Sequence, residues 1–123
     1  MRLSNEIILR RCNQLTPLLE RSDIVGYVAA RNTKILSDLI VEYVQMRDKL
    51  IVKYGDRVLD DKGKETGEIA LYAESDNFSE FLDEIRPYAE IEQEVNLVTL
   101  KYEQAIGLLS GTELLEFDWM FED

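Results

Sequence analysis

A chain of 123 residues, 46% hydrophobic and 32% charged, has the material for one core of ordinary size and the patterning of a folded protein rather than a disordered one. Its net charge of −11 argues against nonspecific binding to nucleic acid or anionic lipid, and no apolar run approaches the roughly 18 uncharged residues of a membrane span. Histidine is absent, which removes the commonest general base, nucleophile activator and metal ligand. The lone cysteine, Cys12, cannot close an internal disulfide and fits a reducing compartment.

Ser4 reads as the N-cap of a first helix, with Glu6 in its first turn. Because that carboxylate precedes any apolar run, the start of the chain is not read as a signal peptide, and a cytoplasmic location in a bacterial host is expected. Ile8, Cys12, Leu15 and Leu19 recur at helical spacing until Pro17 ends or kinks the helix, or opens a short turn. Ser22-Asp23 offers a second cap. One long helix is then predicted from Ile24 to about Tyr54, with Val28, Ile35, Leu39, Tyr43, Met46 and Leu50 on its apolar face and Gly55 as its stop. Its length would be about 46 Å, which favours pairing with the first helix or with another subunit. Asn32 falls on that apolar face, as a satisfied core polar group or as a group fixing helix register.

The period then changes. Arg57–Leu59 and Glu68–Tyr72 flank the turn-rich Asp60–Gly67, which predicts a β-hairpin with an irregular or bulged loop. Asn77 with Glu80 reads as a capping box, and Phe78, Phe81, Leu82 and Ile85 as a short amphipathic helix stopped by Pro87. Ile91, Val95 and Leu97 alternate with acids in a half-exposed strand. A helical turn with Tyr102, Ile106 and Leu109 inward follows. Ser110 and Glu113 then open a terminal helix through Leu114, Leu115, Phe117, Trp119 and Met120. The expected fold class is α+β in a single domain, 1–123. It comprises an N-terminal helical hairpin with one long helix, a small antiparallel sheet of hairpin plus acidic strand, and short C-terminal helices.

Charge divides along the same line. Residues 1–55 hold nine Lys/Arg against six Asp/Glu, a net of +3, and residues 56–123 hold five against nineteen, a net of −14. A mildly basic helical part and an acidic α+β part make a long-range field that bears on partners and association rate. If Glu90, Glu92 and Glu94 share one strand face, they stand about 6.6–6.8 Å apart, comparable to successive phosphates on a nucleic-acid strand. Glu80, Asp83 and Glu84, with Glu74 and Asp76, extend the row from the preceding helix. Those six, Glu90, Glu92, Glu94, Glu80, Asp83 and Glu84, are the candidate partner-binding residues. They form either a nucleic-acid-like surface for a Lys/Arg-lined groove or a solvated acidic face.

Other chemistry finds little footing. A calcium loop begun at Asp60 would place Lys62 and Lys64 at ligand positions, and one begun at Asp61 would place Gly63 and Thr66 where ligand and glycine belong. Phosphate-binding glycine patterns and a nucleophile elbow are missing, and the dense carboxylates single out no acid/base couple. No catalytic residue, metal site or cofactor is therefore expected. Trp119, Met120 and Phe121 beside Glu122 and Asp123 read as docking onto the protein's own core, or as an aromatic anchor with a charged rim.

The run Tyr27-Val28-Ala29-Ala30-Arg31-Asn32-Thr33-Lys34-Ile35-Leu36, then Tyr43, Arg47, Leu50-Ile51 and Lys53-Tyr54-Gly55, resembles a family of small uncharacterised proteins encoded by phages and prophages of Gram-positive bacteria. The Leu3-Ser4-Asn5 opening, the acidic Gly-containing hairpin, Glu92–Leu97 and Leu114–Asp123 extend the likeness over most of the chain. The resemblance implies a phage-related origin and a non-enzymatic role, and carries no catalytic residues. Two functions are thus expected in order. The first is an inhibitor of a host or defence nucleic-acid-binding enzyme, acting through an acidic nucleic-acid-mimicking surface with no direct nucleic-acid or membrane partner. The second is a virion-assembly or scaffold-type protein, in which a homo-oligomer forms through the long helix.

Overall fold

Ser4 begins the first helix as its side chain predicts. The computed structural model describes residues 1–122; Asp123, named above in the charged rim, lies outside the described residues. The architecture is α+β, with helices predominating and, among the described residues, three separate two-stranded sheets. The chain folds into two compact units. One comprises Met1–Leu39 together with the chain from Glu92 onward, and the other Ile40–Ile91. These boundaries do not coincide with the charge boundary near residue 55.

In the discontinuous unit, β1 (Arg2–Ser4) runs into α1 (Asn5–Gln14). Ser4 is extended and its Oγ accepts from Ile7 N at 3.3 Å, satisfying one of the orphan amides of a helix start. Pro17 opens a 3-10 turn, Thr16–Leu18, where its missing N–H costs nothing. Asp23 caps α2 (Ile24–Leu39), its Oδ1 accepting from Gly26 N at 3.1 Å. Val25, Val28, Ala29, Asn32 and Leu36 form the buried face of α2, and α1 packs against this helix.

The predicted single long helix is two. The first stops at Leu39, Ile40 takes φ −119° and ψ 18°, and α3 (Val41–Tyr54) starts afresh. No Gly or Pro marks the break, and the apolar spacing passes through it unchanged, so periodicity could not reveal it. The break leaves the Leu39 carbonyl without its helical donor, and Gln93 Nε2 supplies a replacement at 2.8 Å.

Gln93 sits in β4 (Glu92–Glu94), which pairs antiparallel with β1 in the register Arg2 to Glu94, Leu3 to Gln93 and Ser4 to Glu92. The acidic strand therefore joins the N-terminus, which corrects the expectation that it shares a sheet with the hairpin. Beyond it, β5 (Leu100–Lys101) leads directly into the one-turn helix α5 (Tyr102–Ala105). Next comes α6 (Gly111–Glu116), started by the expected reciprocal Ser110–Glu113 box. A 3-10 turn, Asp118–Met120, precedes β6 (Phe121–Glu122), which lies parallel to β5. Ile8, Leu15, Leu36, Val95, Leu100, Ala105, Phe117 and Met120 are buried almost completely. Phe117 and Met120 thus dock the C-terminal segment onto its own unit. Trp119 carries the Arg11 guanidinium over its ring at 5.0 Å, and Phe121 stacks on Tyr102 at 4.7 Å. Leu109 turns inward as expected, but Tyr102 and Ile106 do not. Helix α5 ends after four residues and Ile106 leaves it with extended backbone, so Ala105 takes the inward place.

In the continuous unit, α3 packs against α4 (Phe78–Ala89), burying Tyr43 and Leu50 from one and Phe81, Ile85 and Ala89 from the other. Gly55 ends α3 in an extended conformation rather than a left-handed one. Its glycine is required by space, because a Cβ there would meet Ile51 O at 2.5 Å and Ile69 Cγ2 at 2.6 Å. Strands β2 (Asp56–Leu59) and β3 (Glu65–Ala70) form the expected hairpin, with its register shifting between Arg57 and Leu59. Asp60 Oδ1 accepts from Lys62 N and Lys64 N across the turn, and Gly63 supplies the positive φ.

Two expectations for α4 fail. Asn77 makes no side-chain cap bond, and Pro87 lies inside the helix. Proline at that point removes only one donor near the C-terminus, and the carbonyl it orphans belongs to exposed Asp83, within reach of water. The helix therefore continues to Ala89, and Glu90 N donates to Arg86 O at 3.0 Å.

Candidate functional site

Period-two alternation decides what β4 shows to solvent. Gln93 turns inward, where its Nε2 donates to Asn5 Oδ1 at 2.6 Å as well as to Leu39 O, and Glu92 and Glu94 turn outward and are exposed. Glu94 is already engaged, since its Oε1 accepts from the Met1 nitrogen at 2.9 Å. Glu90 is not on this strand. It occupies the C-cap of α4 in the other unit, with helical φ and ψ. The expected row of three is thus a pair. The cause is the persistence of α4 through Pro87, which keeps the backbone helical where strand period was expected.

The helix residues fare differently from one another. Glu80, Asp83 and Glu84 fall at i, i+3 and i+4 of α4 and so share a face. Asp83 pairs with Arg86 at 3.4 Å, and Glu84 takes two bonds from Lys53 Nζ at 3.0 and 3.2 Å. The hydrogen bond from Tyr54, then that from Lys53, holds the Glu84 carboxyl below the usual range. The same contacts raise the Lys53 ammonium and, chiefly through Glu84, the Tyr54 hydroxyl. Glu84 serves the α3–α4 contact. Glu80, Glu90 and Glu92 are exposed and belong to no ion pair among the described residues.

The charge split of the sequence is also rearranged. The discontinuous unit holds seven Lys/Arg against twelve Asp/Glu, and the continuous one seven against thirteen, for nets of −5 and −6. The basic N-terminal residues are shared out between units that are each acidic, and several are neutralised locally. Arg21 is the clearest case. Its Nε and Nη2 bond Asp23 at 2.8–3.2 Å, and Nη2 also donates to Leu108 O at 2.8 Å. The hydrogen bond to Asp23 raises the guanidinium, and its counterpart lowers the Asp23 carboxyl.

Sequence reasoning missed this latch, the Gln93 clamp and the role of Asn5. Short polar residues inside apolar helical stripes were the available signal, and only Asn32 was read that way. Asn32 is fully buried, with Nδ2 donating to Val98 O at 2.9 Å and Oδ1 accepting from Val98 N at 2.8 Å. It is the satisfied core polar group of the two alternatives.

Among the described residues, no three Cys, Asp or Glu side chains converge in an arrangement that could hold a metal ion. A depression of about 140 Å³ beside the hairpin is lined by Arg57, Glu65, Gly67, Glu68 and Ile69, with Arg57 and Glu65 paired across it. Cys12 is partly buried, its thiol raised by desolvation, and lies 3.9 Å from Thr33 O. No helix among the described residues is long and apolar enough to cross a membrane. No protein-family model, curated protein or solved structure matches the chain.

Gln93→Glu should destabilise the protein by about 2 kcal/mol. The new carboxylate cannot donate to the Leu39 carbonyl it faces, and it adds a third negative charge between Glu92 and Glu94. Urea unfolding at neutral pH checks this, and unchanged stability would show that the clamp carries no energy.

Proposed function

We propose that this protein is a non-enzymatic binding protein of phage or prophage origin that engages a basic surface of another protein. A nucleic-acid-binding enzyme of the host or of its defences is the natural target, inhibited when its nucleic-acid site is occluded. The observation that carries the reading is the placement of charge. Both units are net acidic, and Glu80, Glu90 and Glu92 stand exposed and in no ion pair among the described residues. The phage origin rests on the sequence resemblance. Because Glu90 is off the strand, the mimicry is that of a negative field and not of phosphate spacing. Such a field steers association and makes it salt-sensitive.

The test uses Glu80→Lys, Glu90→Lys and Glu92→Lys together, sparing Glu84 and Glu94, which hold contacts within the protein. Beads bearing the native chain should retain a basic protein from host lysate and release it as salt is raised. Beads bearing the triple variant should retain roughly tenfold less. Equal retention, with the circular dichroism spectrum unchanged, overturns the proposal. A scaffold role through the helical hairpin has less support, because the long rod it requires is interrupted at Ile40 and α2 buries its apolar stripe in its own unit.

A further inference from the structure

The turn after α5 presents large apolar side chains to water from a backbone held by several hydrogen bonds. Ile106 N donates to Tyr102 O, and Leu108 N and Leu109 N both donate to Ala105 O. Gly107 takes the positive φ that the reversal needs, and Arg21 ties down the Leu108 carbonyl. Ala105 and Leu109 anchor the turn in the core on either side, yet Ile106 is 67% exposed and Leu108 39%. Single exposed apolar residues are ordinary, but this pair is held at a rigid tip.

Ser110 then starts α6 at once, and Leu115, the most exposed large apolar side chain of the described residues at 80%, follows on it. At 1.5 Å per residue, Leu115 lies only about 8 Å along the helix from Ser110, within the footprint of one partner helix. The chain around these side chains is predominantly acidic. From Tyr102 to the end of the chain there is no Lys or Arg, and Glu103 and Glu116 are exposed. Two basic groups border this stretch: Lys101, which lines a shallow depression with Glu103 and Glu122, and Arg21, which is committed to Asp23 and lies in the field of Glu113.

We infer that the Ile106–Leu108 turn and Leu115 form a docking surface for a basic amphipathic helix of a partner protein, apolar side chains seating on the tip and Lys/Arg on Glu103 and Glu116. Charge complementarity selects this occupant. A second copy of the chain would bring the same acids against one another, and an acidic lipid surface would be repelled. The inference rests on the proposed engagement of a basic partner and names the part of it that supplies apolar contact. An apolar anchor inside a charged rim is the usual anatomy of a binding hot spot.

The probes are a synthetic amphipathic Lys/Leu helix and a polylysine of equal charge, titrated calorimetrically into the intact protein. The amphipathic helix should bind more tightly than polylysine. Ile106→Ser with Leu115→Ser should weaken it about tenfold while leaving polylysine unchanged. Glu103→Gln with Glu116→Gln should reduce its salt dependence. Both residues of the serine pair are exposed, so folding is retained, and circular dichroism checks that. If both probes bind equally and the serine pair changes neither, the docking surface is overturned while the acidic-surface reading stands. If neither probe binds, both fall. Concentration-dependent dimerisation that the serine pair abolishes would give the face to a second copy and overturn the inference as well.

Discussion

Gly26→Ala should destabilise the protein by about 3 kcal/mol, although glycine to alanine inside a helix ordinarily stabilises by up to about 1 kcal/mol. The sign reverses because of what lies beside the first turn of α2. A Cβ at residue 26 would fall well inside van der Waals contact of the Arg21 carbonyl oxygen and 2.8 Å from its carbonyl carbon. Neither atom belongs to a flexible side chain, so the backbone itself must move. Arg21 cannot move alone, because its side chain joins Asp23, the cap of the same helix, to the Leu108 carbonyl. The strain therefore reaches both the helix start and the turn that exposes Ile106. Urea unfolding of the variant measures the loss, and a variant as stable as the native chain would contradict this account.

Asn32→Ala should cost a comparable amount, about 2–3 kcal/mol. The carboxamide of Asn32 acts as a peptide group, donating to Val98 O and accepting from Val98 N. Its removal leaves both of those backbone groups without partners and opens a small cavity beneath α2. Asn32→Asp separates the two contributions. It keeps the volume and the acceptor but loses the donor and, at neutral pH, sets a carboxylate against the Val98 carbonyl. A loss at least as large as that of the alanine variant shows that hydrogen bonding dominates, whereas a near-native Asn32→Asp would show that only volume matters. The clamp holds the segment leading to β5, so the loss should also appear as faster amide exchange at Leu100, whose side chain is 1% exposed.

How much of this was legible depended on the range of the interaction. The starts of α1, α2 and α6 could be read from Ser4, Asp23 and the Ser110–Glu113 pair, because a cap is satisfied within three residues of itself. The hairpin was legible for the same reason, Asp60 and Gly63 closing its turn locally. The break at Ile40 was not legible, since apolar spacing is identical on both sides and only the destinations of the two stripes differ. Nor was the partner of β4. Its two-stranded pairing with Arg2–Ser4 bridges some ninety residues of chain, and no local rule chooses among edges so far apart. The candidate site was legible in composition but not in arrangement. Five of the six acids, all but the half-buried Glu84, are exposed, and which of them stay unpaired depended on Lys53, Arg86 and the Met1 nitrogen reaching three of the six.

By itself, the sequence determined the α+β class, the starts of α1, α2 and α6, the hairpin and the excess of negative charge, all of which follow from local hydrogen bonding, periodicity and composition. Only the tertiary structure decided that the basic N-terminal residues would be divided between two acidic units, that Glu90 would leave the row of Glu92 and Glu94, and that Ile106, Leu108 and Leu115 would face water. Those outcomes turn on which distant backbone groups satisfy one another. The Leu39 carbonyl found Gln93, Val98 found Asn32 and Leu108 found Arg21, and each of those pairings spans fifty or more residues of sequence.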